Sequence, residues 1–488
     1  MASSRLVIIG GGLAGLSAGV YARRNGYETT IVEHNLALGG VCTAWRRGEY
    51  LVDGCIHWLT GGAFDRVYEE LGILPAVQRH TLEHFSTYRH VHDHIQVSVT
   101  KNLEALARDL EDLSPTDRDE IHRVVDGARH LAELDPRVDH PPELSTLGDS
   151  VAYLWHARHE IPTVMRFRKP MKRWLEEHVK DPRLARFFEH LAPPEAPALF
   201  MLMVLGYLER GYLSRPVGGT EAFRDALIAS YERAGGKVRV HATVDEILVA
   251  RDRAVGVRLD DGEIIDADVV ISTSSMPETV LRLLGGHFGA DAARKRLQTW
   301  KLFDPIVLAS FGVSLALKDE PSLLHVDGVT PFELGGRTGH QLYLRLENDD
   351  PCYAPPGHSV VQLMAATHYD WWAKRGTGYN AAKDAVARQA LELIEPHLPG
   401  VSDAVQMTDI ATPLTFWTTA RSWRGSYEGW MPSNGQIFEH VPKTLPGLSG
   451  MYMAGQWVEP GGGVPTAVMS GRQVVQLLCA GDHRELVA

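Results

Sequence analysis

The amino-terminal segment joins an apolar stretch to a glycine-rich turn, and this junction limits the possible fold more than any other feature of the sequence. Residues 5–16 read Arg-Leu-Val-Ile-Ile-Gly-Gly-Gly-Leu-Ala-Gly-Leu, so Gly10, Gly12 and Gly15 have the spacing G-x-G-x-x-G. The first glycine permits a tight turn after a strand, the second lets the backbone approach a pyrophosphate, and the third lets a helix pack closely on the strand. The free N–H groups of that helix would face the phosphates. The sequence therefore predicts a dinucleotide site.

The segment that follows completes a strand–helix–strand unit. Leu13 to Arg24 carry a helical pattern that ends at Asn25-Gly26, a left-handed cap. Glu28 to Glu33 then have the pattern of a second strand with an acidic last residue. A carboxylate at this place accepts hydrogen bonds from both hydroxyls of an adenosine ribose, which favours NAD or FAD over a cofactor with a 2′-phosphate.

Composition indicates a folded protein of two or three domains. The chain has 488 residues, of which 44% are hydrophobic and 23% charged. A net charge of -12 without a long basic run argues against nucleic-acid binding. The longest apolar run, Ala198 to Leu208, is too short to span a bilayer. We interpret this run as a buried helix, with a helix facing a substrate tunnel or a membrane as the alternative.

The amino terminus and the cysteines favour a cytoplasmic location. Leu6 to Ile9 already belong to the first strand, and no basic segment, separate apolar segment or cleavage site predicts export. The four cysteines lack C-x-x-C spacing, which favours reduced thiols; they are Cys42, Cys55, Cys352 and Cys479. No transmembrane segment is predicted, and peripheral membrane contact stays open.

A second glycine pair distinguishes the two candidate cofactors. Gly39 and Gly40 stand in Leu-Gly-Gly-Val-Cys-Thr-Ala-Trp, residues 38–45, just past the second strand, where a plain NAD domain needs no such pair. Here the chain resembles the flavoprotein superfamily that includes amine oxidases, phytoene desaturases, carotenoid isomerases and retinol saturases. In that family the pair runs along the FAD pyrophosphate and ribityl chain. An arginine often follows it, whereas this chain has Val41, so the resemblance leaves one phosphate contact unassigned.

The resemblance extends to three further stretches. Asp53-x-x-x-His57 is similar to the family's hairpin beside the flavin, Val244 matches a position whose backbone meets the adenine, and Gly455 to Val464 match a turn that closes over the flavin. Many relatives have Asp where this chain has Gln456. The fingerprint and the resemblance together assign FAD contacts to Gly10, Gly12, Leu13, Ala14, Gly15, Glu33, His34, Gly39, Gly40, Val41, Val244, Gly455, Gln456, Gly463, Val464 and Pro465.

These stretches predict an α/β fold. We expect a Rossmann-type, glutathione-reductase-like FAD-binding domain that is split in sequence, with an α+β substrate domain built on an antiparallel sheet. The expected FAD-domain segments are 1–63, 217–276 and 443–488, and the expected substrate-domain segments are 64–216, where helical periodicity dominates, and 277–442. The later substrate segment is predicted to contain strands at Ile306–Val313, Gln341–Leu346 and Ser359–Ala366 and a helix at Ala382–Pro396.

Few residues are candidates for reacting groups. His57 and Glu459 are placed by the resemblance near the reacting region, with a hydrogen-bonded strand histidine and a solvated turn acid as the alternatives. Four aromatic residues are candidates for holding an apolar substrate, or are ordinary core: Tyr212, Phe416, Trp417 and Tyr427.

No second cofactor and no metal are predicted. Gly285-Gly286 and Gly335-Gly336 neither follow a convincing strand nor open a helix, so a separate NAD(P)H domain is not expected. His90-Val-His-Asp-His94 has no carboxylate or cysteine at recognised ligand spacing nearby, and we predict a turn or an exposed hairpin there.

An FAD frame joined to an aromatic-rich segment predicts an FAD-dependent oxidoreductase. The resemblance implies desaturation, or saturation, of a C–C bond in a hydrophobic polyene, isoprenoid or polyketide-like substrate. Oxygen, a quinone or another carrier would be the electron acceptor. The alternatives are a redox-neutral, flavin-dependent double-bond isomerase, an FAD-dependent amine oxidase, and a non-enzymatic lipid-escort protein of the same fold.

Overall fold

The glycine-rich turn lies within a mixed nine-stranded sheet. The computed structural model describes residues 4–134, 136–138, 140–433, 436 and 439–488. From one edge to the other, the main strands are Lys237–Arg239, Glu28–Val32, Arg5–Ile9, Val269–Ser272, Leu448–Met453, Arg253–Leu259 and Val244–Ala250, with Ile264–Asp266 and Thr444–Leu445 paired alongside. The first six run parallel, and the seventh is antiparallel to its neighbour. Three separate parts of the chain build this sheet, which confirms the predicted split Rossmann-type fold.

Two long helices cross next to the glycine-rich turn because glycines line their contact. Leu13–Arg24 has the predicted bounds, and it packs on the carboxyl-terminal helix Val464–Gly481. A Cβ on Gly471 would lie 2.6 Å from the carbonyl oxygen of Ala14. On its other side the first helix meets Gly219–Arg233, where Tyr231 fills the space beside Gly19. The short helix Asp65–Glu70 contributes to the same core.

The second sheet has seven strands and lies in the other half of the molecule. Its order is Val405–Ala411, Ile306–Val313, Ser359–Ala366, Arg337–Glu347, Leu323–Leu334, His84–His90 and Ile95–Thr100. All neighbours are antiparallel except Leu323–Leu334 and His84–His90, which run parallel. The predicted antiparallel sheet of the substrate domain is therefore confirmed. Its strand Arg337–Glu347 is longer than the predicted Gln341–Leu346, and the helix predicted at Ala382–Pro396 runs from Tyr379 to Ile394.

The segment in which helical periodicity was expected to dominate also supplies strands to two sheets. His84–His90 and Ile95–Thr100 form the predicted hairpin and extend the second sheet, and apolar residues alternate with a period of two in Ile95–Thr100. Seven α-helices follow: Leu103–Leu113, Arg118–Leu131, Leu147–His156, Ile161–Phe167, Met171–His178, Pro182–Glu189 and Leu199–Glu209.

The longest apolar run forms the last of these helices and is buried. Met201, Leu202 and Leu208 are fully enclosed in one core with the neighbouring helices, so the membrane-facing interpretation of this run is wrong. Phe200 and Tyr207 are half-buried on the side nearer the second sheet. No helix among the described residues is long and apolar enough to cross a bilayer.

The remaining elements connect the two sheets. Ala44–Arg47 and Tyr50–Asp53 form a hairpin. Leu59–Thr60, Leu213–Pro216 and Arg79–Thr81 form a three-stranded sheet, and Lys301–Leu302 pairs with Trp430–Met431. The additional helices are Ala290–Thr299, Tyr369–Ala373 and Pro413–Ala420, with a π-helical turn at Glu278–Leu283.

Candidate functional site

Two helix N-termini lie side by side with no side chain capping them. The helices that begin at Leu13 and Val464 follow Gly12 and Gly463, and neither has a capping side chain or an acid in its first turn. By contrast, Thr146 and Asp149 form a complete capping box on the exposed helix Leu147–His156. Uncapped first-turn N–H groups are donors for an anion. The pairing of two such ends suits the phosphates and the polar chain of a dinucleotide.

Glycine allows the turn after the first strand to lie directly against the first helix. A Cβ on Gly15 would lie 2.1 Å from the carbonyl oxygen of Gly10, so only glycine allows this contact between strand turn and helix. Gly10 has φ +98°, a conformation that favours glycine. Gly39 donates its N–H to Gly11, at 2.9 Å, and Gly40 lies against the Cα of Gly12. The two glycine segments thus form one bare backbone surface.

Glu33, the residue that the sequence predicts as the ribose contact, is buried beside the first glycine turn. Its carboxylate accepts hydrogen bonds from the Gly11 and Asn35 N–H groups at 2.7 and 2.9 Å, and from His34 Nδ1 at 2.9 Å. The bond to Glu33 raises the pKa of His34. The Ala242 N–H bonds to the Glu33 carbonyl at 3.0 Å, which brings the strand beginning at Val244 to the same end of the sheet.

Arg224 lies beside the glycine pair, on the helix Gly219–Arg233. A Cβ on Gly39 would lie 2.6 Å from Cδ of this arginine. Its Nε donates to Asp225 at 2.8 Å, and only 13% of the side chain is exposed. The position after the pair, Val41, carries no charge, so Arg224 brings a cation to a place where the sequence alone predicted none. Nothing local in the sequence marks this contact, because it joins residues far apart in the chain.

The carboxyl-terminal turn closes onto the first helix. Gly455 has φ +103° and donates its N–H to Ser470 Oγ at 2.7 Å, and it faces the methyl group of Ala14. Gln456 donates from its amide to the Tyr427 carbonyl at 2.8 Å. Pro465 occupies the first turn of the following helix, where a missing N–H costs nothing. We call the whole surface of Gly10–Gly15, Glu33, Gly39–Gly40 and Gly455–Val464 the cofactor cradle.

The hairpin at Asp53–His57 is fixed by a buried charge network. Asp53 Oδ1 accepts from Thr220 Oγ1 at 2.7 Å, and Arg345 lies 3.8 Å from the same carboxylate while pairing closely with Glu347. Arg215 Nε donates to the His57 carbonyl at 3.2 Å. Asp53, Arg215, Arg345 and Glu347 are all buried, and Arg215 also pairs with the more exposed Asp349 at 3.3 Å. The network holds His57 at the end of the second sheet.

His57 stacks against Tyr343, with ring centroids 6.1 Å apart. Burial, with Arg345 and Arg215 nearby, lowers the pKa of His57 well below its ordinary value, and burial raises the pKa of Tyr343 to about 12. The imidazole is therefore neutral at neutral pH, and the two arginines disfavour its protonated form.

Glu428 is a carboxylic acid that sequence reasoning missed. It follows Tyr427, its backbone packs on Gly462 of the carboxyl-terminal turn, and no described residue hydrogen-bonds its side chain. Burial raises the pKa of Glu428 to about 7, and its charge acts on both Tyr343 and Tyr427. An unpaired acid with this pKa can carry a proton at neutral pH.

Half-buried aromatic rings surround these two groups. We call Trp58, Phe200, Tyr207, Phe303, Tyr343 and Tyr427 the aromatic cluster; all but the buried Phe303 are half-buried. Phe303 and Tyr427 lie 6.0 Å apart, and Phe200 approaches Gly461 of the carboxyl-terminal turn. The cluster thus adjoins the cofactor cradle.

The other predicted site residues lie in different surroundings. Glu459 accepts a hydrogen bond from the fully buried Lys443 at 2.6 Å.

Tyr212 packs edge-on against Tyr207, at 5.8 Å, next to the aromatic cluster. Phe416 is buried, and Trp417 lies 6.3 Å from Trp423; the next residue, Thr418, accepts a bond from His34 Nε2. Phe416 and Trp417 therefore lie close in sequence to the contact with His34, outside the aromatic cluster.

The described residues contain no group of three or more metal-ligating side chains at coordinating distance. In the hairpin turn, His90 Nδ1 pairs with Asp93 at 3.2 Å. All four cysteines are free thiols.

Comparison with known families decides among the dinucleotide-binding classes. Residues 13–479 match the model of the flavin containing amine oxidoreductases. The chain belongs to this family. FAD is accordingly its cofactor, and the protein is an FAD-dependent oxidoreductase, as the sequence predicted. The cofactor cradle fits FAD because it offers uncapped N–H donors, a bare backbone and a buried carboxylate.

Relatives of named activity cover almost the whole chain. It is 25% identical over 506 residues to a neurosporene-forming phytoene desaturase of Rhodobacter capsulatus, with 97% of this chain and 94% of the relative covered. It is 24% identical over 522 residues to prolycopene isomerase 2 of an Oncidium hybrid cultivar, with 98% and 83% covered. An oxidoreductase of Methanosarcina mazei has the same fold, with TM-score 0.66, 19% identity, and 97% of this chain and 100% of that chain covered.

Proposed function

We propose that this protein desaturates, or saturates, a carbon–carbon bond of a hydrophobic polyene. The observation that carries the proposal is the aromatic cluster, which abuts the turn Gln456–Gly463 and lies beside two titratable groups, His57 next to Tyr343 and Glu428 next to Tyr427. The named desaturase and isomerase relatives support a polyene as substrate. Flat rings stack on conjugated chains and exclude water from them.

The chain's own residues account for the proton. Desaturation removes one hydride equivalent and one proton from the substrate, and saturation adds them. Bound FAD exchanges the hydride at its N5 atom. Glu428, whose pKa is raised to about 7, donates the proton in saturation when it is protonated and accepts the proton in desaturation when it is ionised, while the neutral His57 positions Tyr343 beside it. Oxygen, a quinone or another diffusible carrier then exchanges electrons with the cofactor.

The direct test is anaerobic mixing of the FAD-loaded protein with candidate polyenes while flavin absorbance is recorded. Desaturation bleaches oxidised flavin, and saturation restores the absorbance of a prereduced sample. A polyene that binds without changing either spectrum, across the panel, would contradict net redox chemistry.

Redox-neutral isomerisation is a second candidate, because a prolycopene isomerase matches the chain over the same length as the desaturases do. Mass spectrometry of the product separates the two. A change of two hydrogens supports desaturation or saturation, and an unchanged mass with altered double-bond geometry supports isomerisation.

A further inference from the structure

The helix Leu147–His156 carries an apolar stripe that is largely exposed to solvent. Leu147, Val151, Leu154 and Trp155 are 88%, 68%, 57% and 67% exposed, and none of the helix's residues is buried. Their spacing places all four on one face. A complete capping box at Thr146 and Asp149 holds the helix in this conformation. Soluble proteins rarely expose such a stripe without a partner for it.

The apolar surface continues into the next helix. Ile161 and Met165, on Ile161–Phe167, are 37% and 48% exposed. The Arg158 guanidinium covers the Trp155 ring at 4.9 Å, so cation and indole lie together on one side. Tryptophan beside arginine on an apolar helix is typical of segments that lie in a membrane interface.

The segment that follows the exposed helix in sequence is basic. Residues 156–173 hold six Lys or Arg and one Glu, whereas the whole chain has a formal charge of -12. Three of the six are paired, Arg166 with Glu120 and both Lys169 and Arg173 with Glu177. The other three are exposed and have no carboxylate within salt-bridge distance in the described part of the chain: Arg158, Arg168 and Lys172. Three exposed cations without a carboxylate partner, close in sequence to an apolar stripe, are complementary to anionic lipid headgroups.

The surface adjoins the cofactor end of the molecule. Glu143, four residues before Leu147, accepts hydrogen bonds from the Lys443 N–H at 2.8 Å and from His440 Nε2 at 3.0 Å. Lys443 in turn bonds to Glu459 in the carboxyl-terminal turn. One short chain of polar contacts therefore links the base of the exposed helix to the cofactor cradle.

We infer that the surface formed by Leu147, Val151, Leu154, Trp155, Ile161 and Met165, with its basic margin, docks the protein on an anionic lipid bilayer. The apolar side chains enter the headgroup–acyl boundary, and the arginines and lysines contact lipid phosphates. That such docking would deliver an apolar substrate rests on the proposed function, but docking itself does not.

The test is flotation of the FAD-loaded protein with vesicles of phosphatidylcholine alone or mixed with phosphatidylglycerol. We expect flotation with the mixed vesicles that weakens as salt is raised, since salt screens the headgroup attraction. The double variant Leu147→Glu/Trp155→Glu should lose at least tenfold in vesicle affinity, and Arg168→Gln/Lys172→Gln should bind more weakly to mixed vesicles only. The matched control Ile264→Glu/Val487→Glu makes the same change at two other exposed apolar residues and should float as the unmodified chain does.

Retained flavin absorbance verifies that each variant is folded. Failure of the unmodified chain to float, or equal flotation of the Leu147→Glu/Trp155→Glu variant, would overturn the proposal. So would a light-scattering mass showing that this variant only converts a dimer to a monomer, because the surface would then be an interface between copies. None of these readouts uses turnover, so a failed substrate assay leaves the result on docking intact.

Discussion

The cofactor cradle and the aromatic cluster meet at one turn but are built in opposite ways. The cradle is mainly backbone: glycines that approach within van der Waals contact and two helix ends whose N–H groups are uncapped. The cluster is made of side chains from the hairpin near His57, the helix Leu199–Glu209, the second sheet and the strand pair near Trp430. A backbone site needs particular residues at fixed spacing, whereas a side-chain site needs only rings of suitable size from any segment. Cofactor identity is therefore local, and substrate identity depends on the whole fold.

The largest expected effect concerns the network that joins the two regions. Arg345→Met leaves Asp53 and Glu347 buried with less positive charge between them, so we expect the free energy of unfolding to fall by about 3–5 kcal/mol. The control Arg424→Met removes an exposed pair with Asp370 and should cost about 0–1 kcal/mol. Denaturant unfolding measures both. Equal losses would mean that the buried network does not anchor the hairpin.

The acid of the aromatic cluster should give a distinctive pH dependence. The folded-state pKa of Glu428 is raised to about 7, so its contribution to stability is fully present below about pH 4.5 and is lost as pH rises through 7. We expect at most about 3 kcal/mol over that interval. Glu428→Gln should flatten this part of the stability curve, measured by denaturant unfolding at a series of pH values.

The same variant tests the role of Glu428 in catalysis. Saturation uses the protonated acid and should slow above pH 7 in the unmodified enzyme, whereas desaturation uses the carboxylate and should speed up. Either dependence should be lost in Glu428→Gln. An unchanged pH profile in the variant would remove Glu428 from the proposed mechanism.

A side chain added to the cofactor cradle should damage it without touching the cluster. The Cβ of Gly15→Ala would lie 2.1 Å from a backbone oxygen, and we expect about 1–3 kcal/mol of destabilisation together with weaker FAD binding. Gly148→Ala, whose Cβ would have no neighbour closer than 3.5 Å, is the matched control and should bind FAD normally. Flavin fluorescence titration of the apoprotein reports the affinity.

The smallest effect is predicted for the cation beside the glycine pair. Arg224→Gln should weaken FAD binding about tenfold, or about 1.4 kcal/mol, if its charge neutralises a phosphate. Arg233→Gln alters an exposed arginine near the end of the same helix and should leave affinity unchanged. Equal dissociation constants for the two variants would leave Arg224 with a packing role against Gly39.

Two apolar helices show that hydrophobicity in the sequence does not predict which of them is exposed. Ala198 to Leu208 is the most apolar stretch in sequence, yet it lies in a core, since every side of that helix meets another element or the aromatic cluster. Leu147–His156 is less apolar overall and contacts little beyond its neighbouring turn, so its stripe remains uncovered. The apolar content of a segment indicates that burial would be favourable, but only the tertiary packing determines whether another element buries it.

The sequence by itself predicted a dinucleotide cofactor, and Gly39-Gly40 together with the family resemblance narrowed it to FAD. Gly10, Gly12, Gly15 and Glu33 carry the signal because a tight turn, a close backbone approach and a ribose contact each accept very few residue types. Local strand and helix patterns in the sequence also predicted the strands of both sheets in outline. Only the tertiary structure brought Arg224 to Gly39, Arg345 to Asp53, and Glu428 beside Tyr343 and Gly462. These contacts join residues far apart in the chain, and no spacing rule encodes them, because the energy of burying a charge or ring depends on what the fold places next to it.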